Sequence, residues 1–353
     1  MFRESFKHLA GINRHRVAEP EDVAMRLQRM ERPEAWPTSL LDHIYSTIPI
    51  DLLQRYPDPL PFYHKLATFL DVPVNSIVLT SGVDEAIRSI LTLCCEPGDK
   101  IVVTAPGYAM YDVYAKIFGV HIHPIHFDAE HFMSPDEVIA RIPHDVKVVF
   151  LANPSQPVEN CFDLEQLRLI AAHCANRGIL LCVDEAYHFF GAPSSLPMVK
   201  ETANLLVMRS FSKAFGAASL RLGYIVGQED VLAPFRGFRL AHEANALSLH
   251  AGTAMLDCFE SHIKPGIESV CEGREWLREK CNTVGLNAWG SVANFVLIAL
   301  DSETKMKESL RLLNERGIYV KGGFPPPLYR HILVTCGSPA LMEDFFSTFY
   351  KTL

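Results

Sequence analysis

The sequence predicts an α/β protein built on a mainly parallel sheet, and three observations carry that prediction. Short apolar runs alternate with helical patterns from Ile77 to Val226. The runs (Ile77–Thr80, Lys100–Thr104, Lys147–Leu151, Ile179–Val183) lack the in–out alternation of a half-exposed strand, as expected of strands covered on both faces. Several of them run into a small or charged cluster, such as Ser81-Gly82-Val83-Asp84-Glu85 or Asp184-Glu185-Ala186-Tyr187. Ligands of open α/β sheets collect at such strand ends.

Taken in order, residues 1–35 are polar and proline-punctuated, an arm that needs another surface to settle on. A helix is predicted over Leu40–Ile48, then the turn-rich Gln54-Arg55-Tyr56-Pro57-Asp58-Pro59, then a helix over Pro61–Leu70. Strand Ile77–Thr80 leads to a long helix, Glu85–Cys95, which stops before Pro97-Gly98-Asp99. Strand Lys100–Thr104, helix Tyr108–Phe118 and strand Val120–His126 follow. Ser134-Pro135-Asp136-Glu137 combines a serine cap, a proline at the first helical position and a glutamate three residues past the cap, a strong helix start. Strand Lys147–Leu151 enters Asn153-Pro154-Ser155-Gln156-Pro157, and Asp163 caps an amphipathic helix that Gly178 ends. Strand Ile179–Val183, the buried strand Asn204–Arg209 with its loop, and strand Leu222–Val226 complete this part.

Beyond about residue 245 the pattern changes: long helical stretches (245–282) precede strand Asn294–Ala299, helix Glu303–Arg316, strand Ile332–Thr335 and a last helix capped by Ser338-Pro339. The expected organisation is a large domain over 46–245 and a smaller α/β domain made of 1–45 plus 246–353. A chain of 353 residues is too long for a comfortable single domain.

Composition excludes several function classes. The net charge of −8, with no basic run, argues against nucleic acid as a partner. No stretch approaches ~18 consecutive apolar residues, so no membrane span is expected, and the N-terminus lacks the pattern of a secretory signal. Nine cysteines, with adjacent Cys94-Cys95 and no Cys-x-x-Cys, are expected as reduced thiols of a cytoplasmic protein. No Gly-x-Gly-x-x-Gly follows any strand, which counts against a dehydrogenase.

The chemistry-bearing stretch is Ser210-Phe211-Ser212-Lys213-Ala214-Phe215-Gly216, with Arg221 eight residues past the lysine. A lysine that forms a Schiff base with an aldehyde cofactor needs a strand-end loop of this kind, with anion-holding hydroxyls and a guanidinium nearby; a solvated surface loop with an ordinary lysine is the other reading. Ser81-Gly82-Val83-Asp84 opens a helix whose free N–H groups suit a phosphate, or is simply an ordinary capped helix. Tyr108 can lay its ring on a flat ligand or pack in the core. Asp184 closes an apolar strand with a carboxylate, which demands a partner. A protonated ring nitrogen is one candidate, since opposite charges about 4 Å apart attract by about 4 kcal/mol at an effective dielectric near 20; a helix cap or a structural ion pair is the other. Tyr187 can point its phenol into the same space.

Together these motifs resemble the class I/II aminotransferases, which are fold-type I pyridoxal-phosphate enzymes, and most nearly their histidinol-phosphate aminotransferase branch. The resemblance rests on Arg55-Tyr56-Pro57-Asp58, Ser81-Gly82-Val83-Asp84-Glu85-Ala86, Pro106-Gly107-Tyr108-Ala109-Met110-Tyr111, Asp184-Glu185-Ala186-Tyr187, Ser210-Phe211-Ser212-Lys213-Ala214-Phe215 and Leu220-Arg221-Leu222-Gly223, in that order. It implies a mainly parallel seven-stranded sheet in the large domain and pyridoxal 5'-phosphate as cofactor. It further implies that Lys213 carries the Schiff base and moves the proton, that Asp184 keeps the pyridine nitrogen protonated, and that Tyr187 bonds the ring's phenolic oxygen. Tyr108 would stack on the ring, while Val83, Asp84, Ser210, Ser212 and Arg221 would hold the phosphate. Tyr56 would reach the phosphate of a neighbouring subunit, so a homodimer with shared sites is expected. The expected reaction is transamination between an amino donor and a small keto or aldehyde metabolite, phosphorylated in related branches. The alternative is decarboxylation of a phosphorylated amino acid.

The chain departs from that family at two places. The loop that normally reads Asn-Pro-x-Asn-Pro-Thr-Gly is Asn153-Pro154-Ser155-Gln156-Pro157-Val158-Glu159, so Gln156 takes the place of the asparagine that holds the ring oxygen. Near the C-terminus Leu333 stands where the family has an anion-gripping arginine, and Lys321 stands where an upstream arginine is usual. Either Arg330 or Lys321 is therefore expected to bind the substrate's anionic group from another angle, or the substrate presents less negative charge there. The histidines at 121, 123, 126 and 131 read as a polar surface strand rather than a metal site, because no acidic or cysteine ligand completes a tetrahedral set.

Overall fold

A computed structural model of the chain describes residues 23–127 and 132–353. The first 22 residues of the expected arm, and His131, lie outside the described residues. In chain order the elements are β1 (Met25–Leu27), α1 (Thr38–Ser46), α2 (Leu60–Leu70), β2 (Ile77–Thr80), α3 (Gly82–Cys94), β3 (Lys100–Ala105), α4 (Met110–Phe118), β4 (His121–His126), α5 (Pro135–Ala140), β5 (Val146–Ala152), α6 (Leu164–Ala175) and β6 (Leu180–Asp184). They continue with β7 (Leu205–Ser210), β8 (Gly223–Val226), α7 (Glu229–Phe238), α8 (Ala246–Asp257), α9 (Lys264–Thr283), β9 (Asn287–Trp289), β10 (Phe295–Ala299), α10 (Glu303–Asn314), β11 (Ile318–Val320), β12 (His331–Thr335) and α11 (Pro339–Phe349).

The central sheet has seven strands in the order β2-β8-β7-β6-β5-β3-β4. Six point the same way, and β8 alone runs antiparallel, to both β2 and β7. The reason is the length of the link. Only residues 211–222 join β7 to β8, and they hold no long helix to carry the chain back across the sheet, which a parallel partner would need. The lysine loop is therefore a return, and it brings Gly223 at the start of β8 opposite both Thr80 and Ser210 at the ends of β2 and β7.

Alternate residues of each strand feed separate cores on the two faces of this sheet. Val78, Ile101, Val103, Phe150, Cys182, Leu206 and Met208 pack on one face with α3 and α4. Leu79, Val102, Val149, Leu151, Val183, Leu205 and Val207 pack on the other. That two-sided burial explains the unbroken apolar runs. The predicted helix starts are built as expected. Ser134 and Glu137 form a reciprocal capping box, as do Asp163 and Gln166.

The C-terminal part holds a three-stranded antiparallel sheet, β12-β10-β9, against which α9 and α11 pack. β1 pairs in parallel with β11, Met25 opposite Ile318. A segment far upstream is thereby stitched to the C-terminal third. α8 packs against α1 and α2, and a Cβ at Gly252 would lie 2.7 Å from Leu222 and 2.9 Å from Phe62. Four elements escaped the sequence pattern: β1, β9 and β11, each of three residues, and α7, which carries Pro234 inside it. Among the described residues no helix is long and apolar enough to cross a membrane.

Candidate active site

The carboxyl ends of β2, β5, β6 and β7 converge on one cavity of ≈ 420 Å³. Val83, Asp84, Tyr108, Gln156, Asp184, Tyr187, Ser210, Ser212, Lys213 and Arg221 all line it. The lysine loop is anchored by its phenylalanines. Phe211 and Phe215 are fully buried with ring centroids 4.3 Å apart, and Trp36 donates its indole N–H to the Phe215 carbonyl at 3.1 Å. Gly216 has a positive φ of 57°, and a Cβ there would lie 2.8 Å from Trp36 Nε1 and from Arg32 Cδ, so the turn after the lysine needs a glycine. Between these anchors the Lys213 amine donates to the carbonyl of Arg29 at 3.0 Å. Burial brings its pKa down to about 8, with Lys321 and Arg221 pushing the same way and the carboxylates of Glu31 and Asp184 opposing.

Asp184 ends β6 at the floor of the cavity. Its carboxylate accepts from the phenol of Tyr111 at 3.0 Å and from the N–H of Ala186 at 3.1 Å. Burial raises its pKa to about 6 despite those two donors. Tyr187 sets its ring centroid 5.8 Å from the Lys213 amine and packs edge-on against Phe295. Tyr111 was quoted within a motif but given no task by sequence reasoning. The available signal was its place three residues after Tyr108, which brings it round to the same side of the chain near the start of α4. Because its hydrogen bond holds the Asp184 proton affinity down, Tyr111→Phe is expected to move the acid limb of the activity–pH profile upward and to cost about tenfold in turnover. An unmoved acid limb would show that the bond does nothing for the carboxylate.

The opposite end of the cavity is an anion cradle. Ser210 donates to Ser212 Oγ at 2.9 Å, and the Ser212 N–H donates to Ser210 Oγ at 3.0 Å. Arg221, itself at a positive φ of 50°, donates to the carbonyls of Ser81 at 3.1 Å and Ala218 at 3.2 Å and lies 3.7 Å from the Asp84 carboxylate. Gly82, at φ +73°, has no room for a side chain, since a Cβ would meet Arg221 Nη2 at 2.8 Å. Tyr108 donates to Asp84 Oδ1 at 2.9 Å, which fixes its ring at the cavity side.

The remaining sequence candidates are placed as follows. Gln156 is buried in the cavity wall, and its amide contacts Met30 Sδ at 3.7 Å. Tyr56 lies outside the cavity, 84% exposed and stacked on His242 with centroids 4.5 Å apart. Leu333 is fully buried in β12 opposite Leu297. Arg330 donates to the Leu300 carbonyl at 3.2 Å and does not line the cavity. Lys321 does not line it either, but its charge reaches the Lys213 amine, and burial lowers its own pKa. His121, His123 and His126 are exposed on the edge strand β4, and among the described residues no cluster of metal-binding side chains occurs.

Behind Asp184 and Ser210 lies a buried ion pair that sequence reasoning missed. Glu185 accepts from Arg209 Nε at 3.0 Å and Nη2 at 2.8 Å, from Ser194 Oγ at 3.0 Å and from Ser195 Oγ at 2.6 Å. Burial works to raise its pKa, but Arg209, with His188 and Ser195 behind it, wins and holds it below the ordinary glutamate value. Sequence reasoning also missed Arg29 and Glu31, which line the cavity from the segment after β1.

An amine of lowered pKa, a buried carboxylate at the floor and a cradle of hydroxyls, guanidinium and helix N–H groups fit a flat, phosphate-tailed aldehyde such as pyridoxal 5'-phosphate. The cradle whose space a Cβ at Gly82 would fill is the observation that tests the fit. The model for the family "Aminotransferase class I and II" matches residues 50–349. The chain is 32% identical over 349 residues, 96% of its own length and 94% of the relative's, to histidinol-phosphate aminotransferase 1 of Carboxydothermus hydrogenoformans. It is 30% identical over 321 residues to the protein of the same name from Burkholderia lata, covering 89% of this chain and 88% of that one. The crystal structure of histidinol-phosphate aminotransferase from Sinorhizobium meliloti in complex with pyridoxal-5'-phosphate superposes with a TM-score of 0.88 at 20% identity, covering 100% of this chain and 98% of that one.

Proposed function

This chain belongs to the class I and II aminotransferases, enzymes that work through pyridoxal 5'-phosphate, and from that premise we propose how its own residues divide the work. The reaction moves an amino group between an amino donor and a small keto or aldehyde metabolite. The observation that carries the assignment of roles is the convergence of Lys213, Asp184 and the Arg221–serine cradle on one cavity from separate strand ends. When bound, the cofactor supplies an aldehyde that receives the amino group and a ring that accepts electrons.

Lys213 is the nucleophile. With its pKa near about 8 a useful fraction of the amine is neutral at physiological pH, and the same nitrogen later carries the proton that leaves the donor's carbon. Asp184 would hold the ring nitrogen protonated, and Tyr111 orients that carboxylate. Tyr187 and Gln156 would bond the ring's oxygen, and Tyr108 would cover one side of the ring. Ser210, Ser212, Arg221 and the N–H groups around Val83 and Asp84 would hold the phosphate.

The substrate is a small polar amine, phosphorylated as the names of the relatives suggest. Those relatives are aminotransferases, which favours transamination over decarboxylation of a phosphorylated amino acid. The working unit is a homodimer, with Tyr56 reaching the partner's phosphate site. Its support is the exposed apolar surface near that residue, where Ile50 is 101%, Leu53 77% and Leu240 66% accessible. The compartment is the cytoplasm. The test of function is a half-reaction: given amino donors alone, the purified holoenzyme should accumulate the amine form of the cofactor, and carbon dioxide release instead would favour decarboxylation.

Of the two candidates for the anion-binding cation, Lys321 is the better placed, because Arg330 is engaged with the Leu300 carbonyl while the Lys321 charge reaches the reacting amine. Lys321→Met is expected to raise KM for a phosphorylated donor about tenfold with a smaller change for an uncharged one. Equal changes for both donors would count against Lys321.

A further inference from the structure

We propose that Glu31 selects the amino donor: its carboxylate, in the cavity wall, takes a cationic group that the donor carries besides its reacting amine. This rests on the aminotransferase reading of the same site. The backbone on either side of Glu31 is clamped. The Arg29 carbonyl accepts from Lys213, the Met30 N–H donates to Thr335 Oγ1 at 3.0 Å, and the Met30 carbonyl accepts from Asn294 Nδ2 at 3.0 Å. Further along, Glu34 accepts from the Ser338 N–H at 2.7 Å and hydroxyl at 2.6 Å, and Trp36 reaches Phe215 while Arg32 lies 3.8 Å over its ring. A segment tied to β12, to the residue before β10 and to the lysine loop is a wall, and it carries Glu31 at the cavity. Met30 sits at a positive φ of 53°, an uncommon conformation for a residue with a side chain, and this bends the chain between Arg29 and Glu31.

The charges lining the cavity show what remains for a substrate. Its carboxylates are Glu31, Asp84 and Asp184. Asp84 faces Arg221 and accepts from Tyr108, while Asp184 accepts from Tyr111 and Ala186. Glu31 makes no hydrogen bond or ion pair with any described residue, and it lines the same cavity as the Lys213 amine, whose proton affinity it raises. In β12 Leu333 is fully buried, and the strand offers no arginine to grip an anion. A carboxylate that lines the cavity, accepts no hydrogen bond from a described residue and acts on the reacting amine favours a donor with a second positive charge over a dicarboxylic one.

The test compares ornithine with norvaline, which has the same carbon chain and no terminal ammonium, and with glutamate. In the holoenzyme the rate constant kcat/KM of the half-reaction is read from the cofactor's absorbance for wild type and Glu31→Gln. Wild type is expected to favour ornithine over norvaline, and Glu31→Gln to lower that ratio about tenfold. Calorimetry on the cofactor-loaded Lys213→Ala protein, with and without Glu31→Gln, reads the same preference as affinity without turnover. A wild type indifferent to the ammonium, or equal losses for ornithine and norvaline, would overturn the assignment. If no donor aminates the cofactor the transamination reading falls, and the calorimetric ratio still decides the role of Glu31.

Discussion

Lys213→Ala is expected to abolish the cofactor's absorbance band near ~420 nm and to cut turnover by about 10⁵-fold or more, because nothing else in the cavity replaces a nucleophilic amine that also moves the proton. Arg221, the cation of the phosphate cradle, cannot take its place. Arg221 is held by Ser81, Ala218 and Asp84, and a guanidinium is not a nucleophile at neutral pH. Restoring part of the rate with a small exogenous amine would separate loss of the chemistry from loss of the fold. Folding should not suffer. Burial lowers the Lys213 pKa, so holding the protonated amine inside costs stability at pH values below about 8, and that cost is relieved as pH rises toward the unfolded value of 10.5. The alanine variant should therefore be at least as stable as wild type at neutral pH. A variant that keeps even one-hundredth of the turnover would remove Lys213 from the chemistry.

What the sequence made legible were the features written in local pattern. The apolar runs and the helix caps at Ser134 and Asp163 each obey a short-range rule, and the structure builds each as that rule requires. What stayed hidden depends on partners distant in the chain. β1 and β11 are three residues each and exist because Met25–Leu27 meets Ile318–Val320 across almost the whole sequence. α7 was masked by Pro234, a residue that local reasoning takes as a break. β8 runs backwards because of the short link before it, which a strand-by-strand reading does not weigh.

The same division holds within the site. Lys213, Asp184 and Arg221 stand at strand ends or in strand-end loops, where the sequence pattern points. Tyr111 is a buried aromatic on a helix, indistinguishable by type from core until its bond to Asp184 is seen. Glu31 lies in what read as a polar arm, and only the ties of Met30 and Trp36 to Thr335, Asn294 and Phe215 make that stretch a wall.

Breaking the Glu185–Arg209 pair is expected to destabilise the fold by about 3–5 kcal/mol, since either single replacement leaves an uncompensated charge in the interior. Side-chain exposure is 0% for Glu185 and 4% for Arg209, so water cannot take over the lost partner's role. Glu185 also donates its N–H to the Met208 carbonyl at 2.9 Å, next to the register pair Asp184–Met208 that aligns β6 with β7. The pair thus joins the two strand ends that present Asp184 and Ser210, and its loss should weaken cofactor retention as well as the fold. Glu185→Leu with Arg209→Met together should cost less than either change alone, because the double variant leaves no charge behind. pH supplies a second reading. The Glu185 pKa is depressed in the folded protein, so its contribution is fully present above the unfolded value near 4.5 and is lost as pH falls through the folded value. In Glu185→Gln the acid side of the stability–pH curve should flatten by that contribution. Denaturant melts at pH 7 and pH 4 decide the matter: strictly additive single and double losses, with an unchanged acid limb, would mean that the pair contributes packing and no charge coupling.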